Sequence, residues 1–159
     1  MDMEKTETNI VVVEDQPEVR ESLRDLLLLS GRFAGVATYE HAEQLLAEKS
    51  LPQGALYILD IGLPGMDGVE CLVRLKARDL EAKILMFTVM EHDNNVFAAL
   101  KAGADGYLLK REAPEKILEA IADALQGLST NTNVLLCLFL LLFIFVRHHV
   151  LWFSDNFGG

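Results

Sequence analysis

The chain of 159 residues has room for one domain of ordinary size and a short additional segment, because most domains contain about 100–150 residues. It contains 14 basic and 24 acidic side chains, and the resulting net charge of −10 disfavours binding of this chain alone to nucleic acid, whose phosphates are also negative. Hydrophobic residues make up 51% of the chain, which excludes intrinsic disorder.

Five short apolar runs alternate with five segments of helical periodicity. The predicted strands comprise residues 9–13, 33–38, 55–59, 83–88 and 105–109. The predicted helices comprise a segment beginning at Pro17, residues 41–48, 67–76 and 93–101, and a segment from Pro114 to Gly127. The apolar spacing places Leu23 and Leu27 on the inner face of the first helix, and Val69, Leu72 and Val73 on that of the third. This alternation predicts an α/β fold with a parallel sheet.

Polar residues stand where four of the predicted strands end. These residues are Glu14 and Asp15 after the first strand, Asp60 after the third, Thr88 at the end of the fourth and Lys110 after the fifth. The carboxyl ends of parallel strands meet at one edge of a sheet, which is where such folds bind ligands. Three neighbouring carboxylates repel one another unless a cation lies between them, and Mg²⁺ suits a site that also binds phosphoryl oxygens. The pattern therefore predicts a magnesium-dependent phosphoryl site, whereas any one of these residues alone is explained as well by helix capping or surface charge.

Residues 9–127 closely resemble the receiver domain of two-component response regulators. The resemblance rests on VVVEDQ, ILDIGLPGMDG, LMFT and GADGYLLK, in this order and with the spacing of the family. It implies a doubly wound, flavodoxin-like sheet of five parallel strands in the order 2-1-3-4-5. It also implies that Asp60 accepts the phosphoryl group, that Asp15 binds Mg²⁺ directly with Glu14 in the outer shell, and that the carbonyl of Gly62 is a further metal ligand.

The resemblance also assigns the residues that respond to phosphorylation. Thr88 and Lys110 would hold the phosphoryl oxygens, and Tyr107 occupies the position of an aromatic residue whose rotation accompanies the shift of Thr88. Ordinary burial in a strand explains Tyr107 equally well. The implied partners are a histidine kinase or a phosphotransfer protein, with a homodimer formed through the fourth helix, fifth strand and fifth helix.

The implied function is that of a phosphorylation-controlled signalling switch rather than an enzyme. The stretch GYLLKREAPEKILEAI is most similar to regulators that join a receiver to a LuxR-type helix-turn-helix domain, for which residues 128–159 are too few. One alternative is a truncated transcription regulator that acts through dimerisation. A Mg²⁺-dependent phosphohydrolase is a weaker alternative, because Gly62 stands where a second acidic residue would be expected.

The composition changes after residue 128, which predicts a receiver domain over residues 1–128 and a hydrophobic tail over residues 129–159. Residues 134–146 are all apolar, but as a helix they would span only about 20 Å of the roughly 30 Å hydrocarbon core. Extension to residue 153 would place Arg147 inside the membrane. A membrane anchor, a truncation or frameshift remnant, and a packing or oligomerisation segment all remain open for the tail.

The cysteines and the N-terminus point to the cytoplasm. Cys71 and Cys137 lack the spacing of a zinc site, and two such cysteines do not predict a disulfide framework. The first nine residues include four charged side chains, and they are not followed by the apolar core of a secretory signal. A cytoplasmic protein is therefore expected. Attachment to a membrane through residues 134–153 is the alternative.

Overall fold

The computed structural model describes residues 7–89 and 94–127, in which strands and helices alternate. The strands are β1 (Asn9–Val13), β2 (Gly35–Tyr39), β3 (Leu56–Asp60), β4 (Lys83–Thr88) and β5 (Gly106–Leu109). The helices are α1 (Pro17–Leu29), α2 (Ala42–Leu46), α3 (Gly68–Arg78), α4 (Asn94–Lys101) and α5 (Pro114–Leu125). Proline at the first position of α1 and α5 explains their starts, since this position needs no N–H for the helix.

The five strands form one parallel sheet in the order β2-β1-β3-β4-β5, which confirms the predicted topology. Helices α1 and α5 cover one face through buried side chains such as Leu27 and Ile121. Helices α2, α3 and α4 cover the other face, with Leu45, Leu72 and Ala99 in its core. Burial on both faces explains why β1, β3, β4 and β5 are largely continuous apolar runs rather than alternating patterns, whereas the edge strand β2 is only partly buried.

Several predicted boundaries differ from the observed ones by one or two residues, and three of them lie beside contacts between distant segments. β2 begins at Gly35 instead of residue 33, because Gly35 is the first residue paired with β1. Helix α2 ends at Leu46 instead of residue 48, and the guanidinium of Arg78 on α3 binds the carbonyl oxygens of Leu46 and Glu48 at 3.1 and 2.9 Å. Asp105 precedes β5 instead of opening it, and its carboxylate accepts a hydrogen bond from the backbone N–H of Ile84 at 2.8 Å.

The predicted inner face of α3 was partly wrong. Leu72 is buried and Val69 packs against the core, but Val73 is 51% exposed. Cys71 and Leu75 are buried in its place. Helix α3 begins after Asp67, whose carboxylate caps it by accepting a hydrogen bond from the N–H of Glu70 at 2.8 Å. The inner face follows the docking of α3 on the sheet, which three apolar positions alone did not define.

The hydrophobic tail lies outside the residues that the structure describes. Within residues 7–89 and 94–127, no helix has the length and apolar character needed to span a membrane. The domain boundary near residue 128 and the three alternatives for residues 129–159 therefore stay predictions.

Candidate functional site

The carboxyl edge of the sheet brings the predicted polar residues together. Glu14 and Asp15 directly follow β1, Asp60 is the last residue of β3, and Lys110 directly follows β5. β1 lies beside β3, and the strand order reverses at this pair. Side chains that leave β1 and β3 at this switch point therefore meet above the sheet, as expected for a ligand site of an open α/β fold.

The three acidic side chains form a compact cluster with the ammonium group of Lys110. Glu14, Asp15 and Asp60 each contribute a carboxylate oxygen, and these oxygens lie within 4.8 Å of one another. Nζ of Lys110 lies 2.7 Å from Oε2 of Glu14 and 3.2 Å from Oδ2 of Asp60. Glu14 is fully buried and Asp60 is 5% exposed, while Asp15 is half-buried and keeps the cluster open to solvent.

Burial and mutual contacts shift the pKa values of Glu14, Asp60 and Lys110. Loss of hydration raises the pKa of Glu14 and of Asp60, since burial penalises a charged carboxylate more than a neutral one. Burial by itself would lower the pKa of Lys110, but its contacts with Glu14 and Asp60 outweigh that effect and raise its pKa. Lys110 therefore remains charged between the two buried carboxylates.

The chemistry of the cluster fits a divalent cation. All three acidic residues offer hard carboxylate oxygens, the ligand type that Mg²⁺ prefers. Lys110 balances only one of three negative charges when all three carboxylates are ionised. A further double positive charge is thus electrostatically favoured, and the half-buried Asp15 offers a route by which an ion can enter.

Backbone amides orient two of the carboxylates. The N–H of Gly62 donates to Oδ1 of Asp60 at 3.0 Å, and the N–H of Gln16 donates to Oε1 of Glu14 at 3.1 Å. Each carboxylate therefore has one oxygen bound by a backbone amide and the other directed to Lys110. The contact of Gly62 involves its amide, whereas the sequence resemblance assigned a role to its carbonyl, and that role stays a prediction.

Thr88 and Tyr107 are both buried near this edge. Thr88 ends β4 and is 3% exposed, and its carbonyl accepts a hydrogen bond from the N–H of Lys110 at 2.7 Å. Tyr107 lies opposite Met86 in the register of β4 and β5, and it is 6% exposed within the core of the α2–α4 face. This burial is compatible with both interpretations of Tyr107.

Arg20 is a site residue that the sequence analysis missed. Its Nη1 atom donates to the carbonyl oxygens of Glu14 at 2.7 Å and Asp15 at 3.3 Å. The guanidinium thus holds the backbone that carries two of the three acidic residues. The available signal was the position of Arg20 within the first turn of α1, directly after the acidic loop.

Glu43 is a second missed residue, and it acts on the loop between β3 and α3. Its Oε1 atom accepts a hydrogen bond from the backbone N–H of Met66 at 2.8 Å. This contact lowers the pKa of Glu43. It joins the start of α2 to the loop that follows Asp60, and no local sequence pattern indicates a contact between segments so far apart.

The family of the chain follows from this fold and from comparison with known proteins. Residues 10–122 match the family described as the response regulator receiver domain. The chain therefore belongs to this family. Receiver domains are phosphoryl-accepting signalling switches of two-component systems, and they interact with histidine kinases or phosphotransfer proteins.

Individual relatives agree with this assignment. The nitrate/nitrite response regulator protein NarL of Escherichia coli strain K12 is 38% identical over 120 residues, which cover 74% of this chain and 55% of NarL. The chemotaxis protein CheY of Bacillus subtilis strain 168 is 32% identical over 117 residues, which cover 74% of this chain and 97% of CheY. The chain thus spans about half of the length of NarL but nearly all of CheY.

A solved structure shows the same fold. The crystal structure of a two-component response regulator of the LuxR family from Aurantimonas sp. SI85-9A1 superposes with a TM-score of 0.68 at 31% identity. The match covers 76% of this chain and 86% of that chain. The similarity to a LuxR-family receiver confirms the resemblance inferred from the motifs.

Proposed function

We propose that this chain accepts a phosphoryl group on Asp60 from a histidine kinase or a phosphotransfer protein, and that the reaction depends on Mg²⁺. The observation that supports this proposal most is the cluster of Glu14, Asp15, Asp60 and Lys110 at the carboxyl edge of the sheet. Asp60 is the acidic residue in this cluster that belongs to a central strand, and Gly62 already orients one of its oxygens.

Asp15 and Asp60 are proposed as direct ligands of Mg²⁺, with Glu14 supporting the site from its buried position and the carbonyl of Gly62 completing the protein ligands. Bound Mg²⁺ would supply positive charge for the oxygens of the transferred phosphoryl group. Arg20 holds the backbone of Glu14 and Asp15 in place, which keeps both side chains directed at the site.

In the transfer step a carboxylate oxygen of Asp60 forms a bond to phosphorus while the phosphorus–nitrogen bond of the donor histidine breaks. The electron pair of the broken bond stays on the histidine nitrogen. Lys110 lies 3.2 Å from Asp60 and is placed to pair with the new phosphoryl oxygens, together with the hydroxyl of Thr88. These roles make Lys110 and Thr88 the residues that sense the added charge.

The response to phosphorylation is proposed to run through α4, β5 and α5. Thr88 and Lys110 border this part of the fold, and their movement toward the phosphoryl group would change the packing around Tyr107. The altered surface of α4, β5 and α5 is proposed to support homodimer formation.

Phosphorylation with acetyl phosphate and Mg²⁺ tests the acceptor. One acid-labile phosphoryl group per chain is expected, and the variant Asp60→Asn should take up none because its amide is a poor nucleophile. Asp25→Asn is a matched control, since Asp25 is exposed on α1. Undiminished labelling of Asp60→Asn would overturn the assignment, and continuous release of phosphate from a small phosphoester would instead indicate a phosphohydrolase.

Titration of Mg²⁺ by calorimetry tests the metal ligands independently of phosphorylation. Asp15→Ala should bind Mg²⁺ much more weakly, because it removes a charged ligand from the half-buried part of the cluster. The same control, Asp25→Asn, should keep the affinity of the parent protein. Equal Mg²⁺ affinity of Asp15→Ala and the parent would show that Asp15 is not a ligand.

A further inference from the structure

A cavity of about 620 Å³ lies at the edge of the sheet opposite the acidic site. Thr8, Gly54 and Lys83 line it, and these residues lie at or just before the amino ends of β1, β3 and β4. The volume is in the range of cavities that bind ligands or side chains. The cavity is therefore separated from the candidate phosphoryl site by the length of the strands.

Apolar side chains form one part of the lining of this cavity, and charged side chains such as Arg32, Glu81 and Lys83 form another. Its apolar side chains are half-buried and come from the segment after α1 and from α5: Phe33, Leu118, Ala122 and Leu125. Three of them, Phe33, Leu118 and Leu125, pack against the core of the α1–α5 face. The cavity is thus an open extension of that core.

Two strongly exposed leucines stand beside the cavity in the sequence. Leu29 at the end of α1 is 87% exposed, and it lies three residues before the lining residue Arg32 in the sequence. Leu80 is 82% exposed and directly precedes the lining residue Glu81. Each leucine therefore adds exposed apolar surface to a segment that also contributes a residue to the cavity lining.

We propose that residues 134–146 of the same chain dock in this cavity. Leu125 and Gln126 line the cavity, so the chain leaves the described part of the protein at the cavity itself. Residues 134–146 are all apolar, and they match the apolar part of the lining that α5 and the segment after α1 contribute. Docking removes both surfaces from water.

The connecting segment is long enough for this return. Residues 128–133, with the sequence LSTNTN, can span up to about 20 Å when extended, at 3.3–3.6 Å per residue. Five of these six side chains, all except Leu128, are polar and uncharged, which suits an exposed connection. Such a short connection also gives the apolar segment a high effective concentration at its own cavity, which favours this occupant over a second copy of the chain in dilute solution.

Cys137 provides a native probe within the proposed occupant. Cys71 is fully buried, and burial raises the pKa of its thiol to about 12, so a thiol reagent should report Cys137 alone. In the full chain at low concentration, Cys137 should react slowly with a maleimide. The variant Ala122→Trp, which places a large side chain in the cavity, should raise that rate about tenfold, the ratio that burial of one leucine-sized side chain supports.

Val73→Trp is the matched control, because Val73 is exposed on α3 at the opposite face of the sheet. It should leave the reaction rate of Cys137 unchanged. A second variant, Ala122→Cys, should form a disulfide with Cys137 of the same chain under mild oxidation. This test does not depend on whether the fold accommodates the larger side chain of Trp.

Three outcomes would overturn the proposal. The first is equal protection of Cys137 in the parent and in Ala122→Trp, together with failure of Ala122→Cys to cross-link to Cys137. The second is protection that increases with protein concentration, which would assign the segment to contacts between copies. The third is protection that appears only with phosphatidylcholine vesicles, which would assign it to a bilayer.

Discussion

Lys110 connects two carboxylates that burial would otherwise destabilise. Its ammonium group lies 2.7 Å from Glu14 and 3.2 Å from Asp60, and its side chain is 12% exposed. Among the described residues, Lys110 is the cation that forms an ion pair with both buried carboxylates. Lys110 therefore has a structural role besides its proposed contact with phosphoryl oxygens.

The variant Lys110→Ala should lower the free energy of unfolding by about 3 kcal/mol, because it leaves buried carboxylates without their partner. Saturating Mg²⁺ should stabilise this variant more than the parent, since the metal replaces the missing positive charge. Urea denaturation with and without Mg²⁺ measures both effects. Lys116→Ala is the control, because Lys116 forms an exposed pair with Glu119 at 3.4 Å, and such pairs contribute little.

Tyr57 links burial to stability at alkaline pH. It is 2% exposed, and burial raises its pKa from 10.0 to about 12. The unfolded chain loses this proton near pH 10 while the folded chain retains it, so stability must fall as pH rises between these values. The loss attributable to Tyr57 should reach about 2 to 3 kcal/mol by pH 12.

Replacement of the titrating group tests this effect. Tyr57→Phe keeps the ring and removes the hydroxyl, so its stability should decline less steeply above pH 10 than that of the parent. Urea denaturation at pH 8, 10 and 11 measures the difference. Parallel pH profiles of the two proteins would contradict the prediction.

At the scale of elements, the junction between β3 and α3 depends on a close backbone approach. A Cβ atom at Gly68, the first residue of α3, would collide with the backbone carbonyl of Asp60. The start of α3 therefore packs directly against the end of the strand that carries the proposed phosphoryl acceptor. Only glycine fits this approach without displacement of one element.

Gly68→Ala should therefore lower the free energy of unfolding by about 1–3 kcal/mol, the usual cost of forcing extra volume into a packed contact. Gly62→Ala is the control from the loop that precedes α3, because a Cβ atom there would lie 3.8 Å from Oδ1 of Asp60, an ordinary contact distance. Thermal unfolding of the two variants measures the difference. Equal stability of Gly68→Ala and the parent would show that α3 shifts at no cost.

At the scale of the whole molecule, phosphorylation should change the structure of elements other than those that carry the acidic cluster. A beryllofluoride complex at Asp60 should change hydrogen exchange in α4, β5 and α5 and favour dimers, because Thr88 and Lys110 connect the phosphoryl site to these elements. Hydrogen-exchange mass spectrometry and analytical ultracentrifugation measure the two effects, with Asp60→Asn as the unresponsive control. An unchanged exchange pattern and an unchanged association state would contradict the proposed switch.

The sequence by itself determined the alternation of strands and helices, the family, and the edge of the sheet at which the polar residues lie. These features follow from local signals: the periodicity of apolar residues, proline and glycine at helix ends, and motifs such as GADGYLLK in family order. Asp60 and Lys110 could be placed at the same edge of the sheet because each stands at the end of a predicted strand. The carboxyl ends of parallel strands all lie at one edge.

Only the tertiary structure decided which side chains touch. The contacts of Lys110 with Glu14, of Arg20 with the acidic loop and of Glu43 with Met66 each join segments whose relative positions depend on how the helices pack on the sheet. The exposure of Val73 has the same origin, because the docking angle of α3 decides which of its apolar residues reaches the core. Local periodicity carries no information on that angle, and hence none on these contacts.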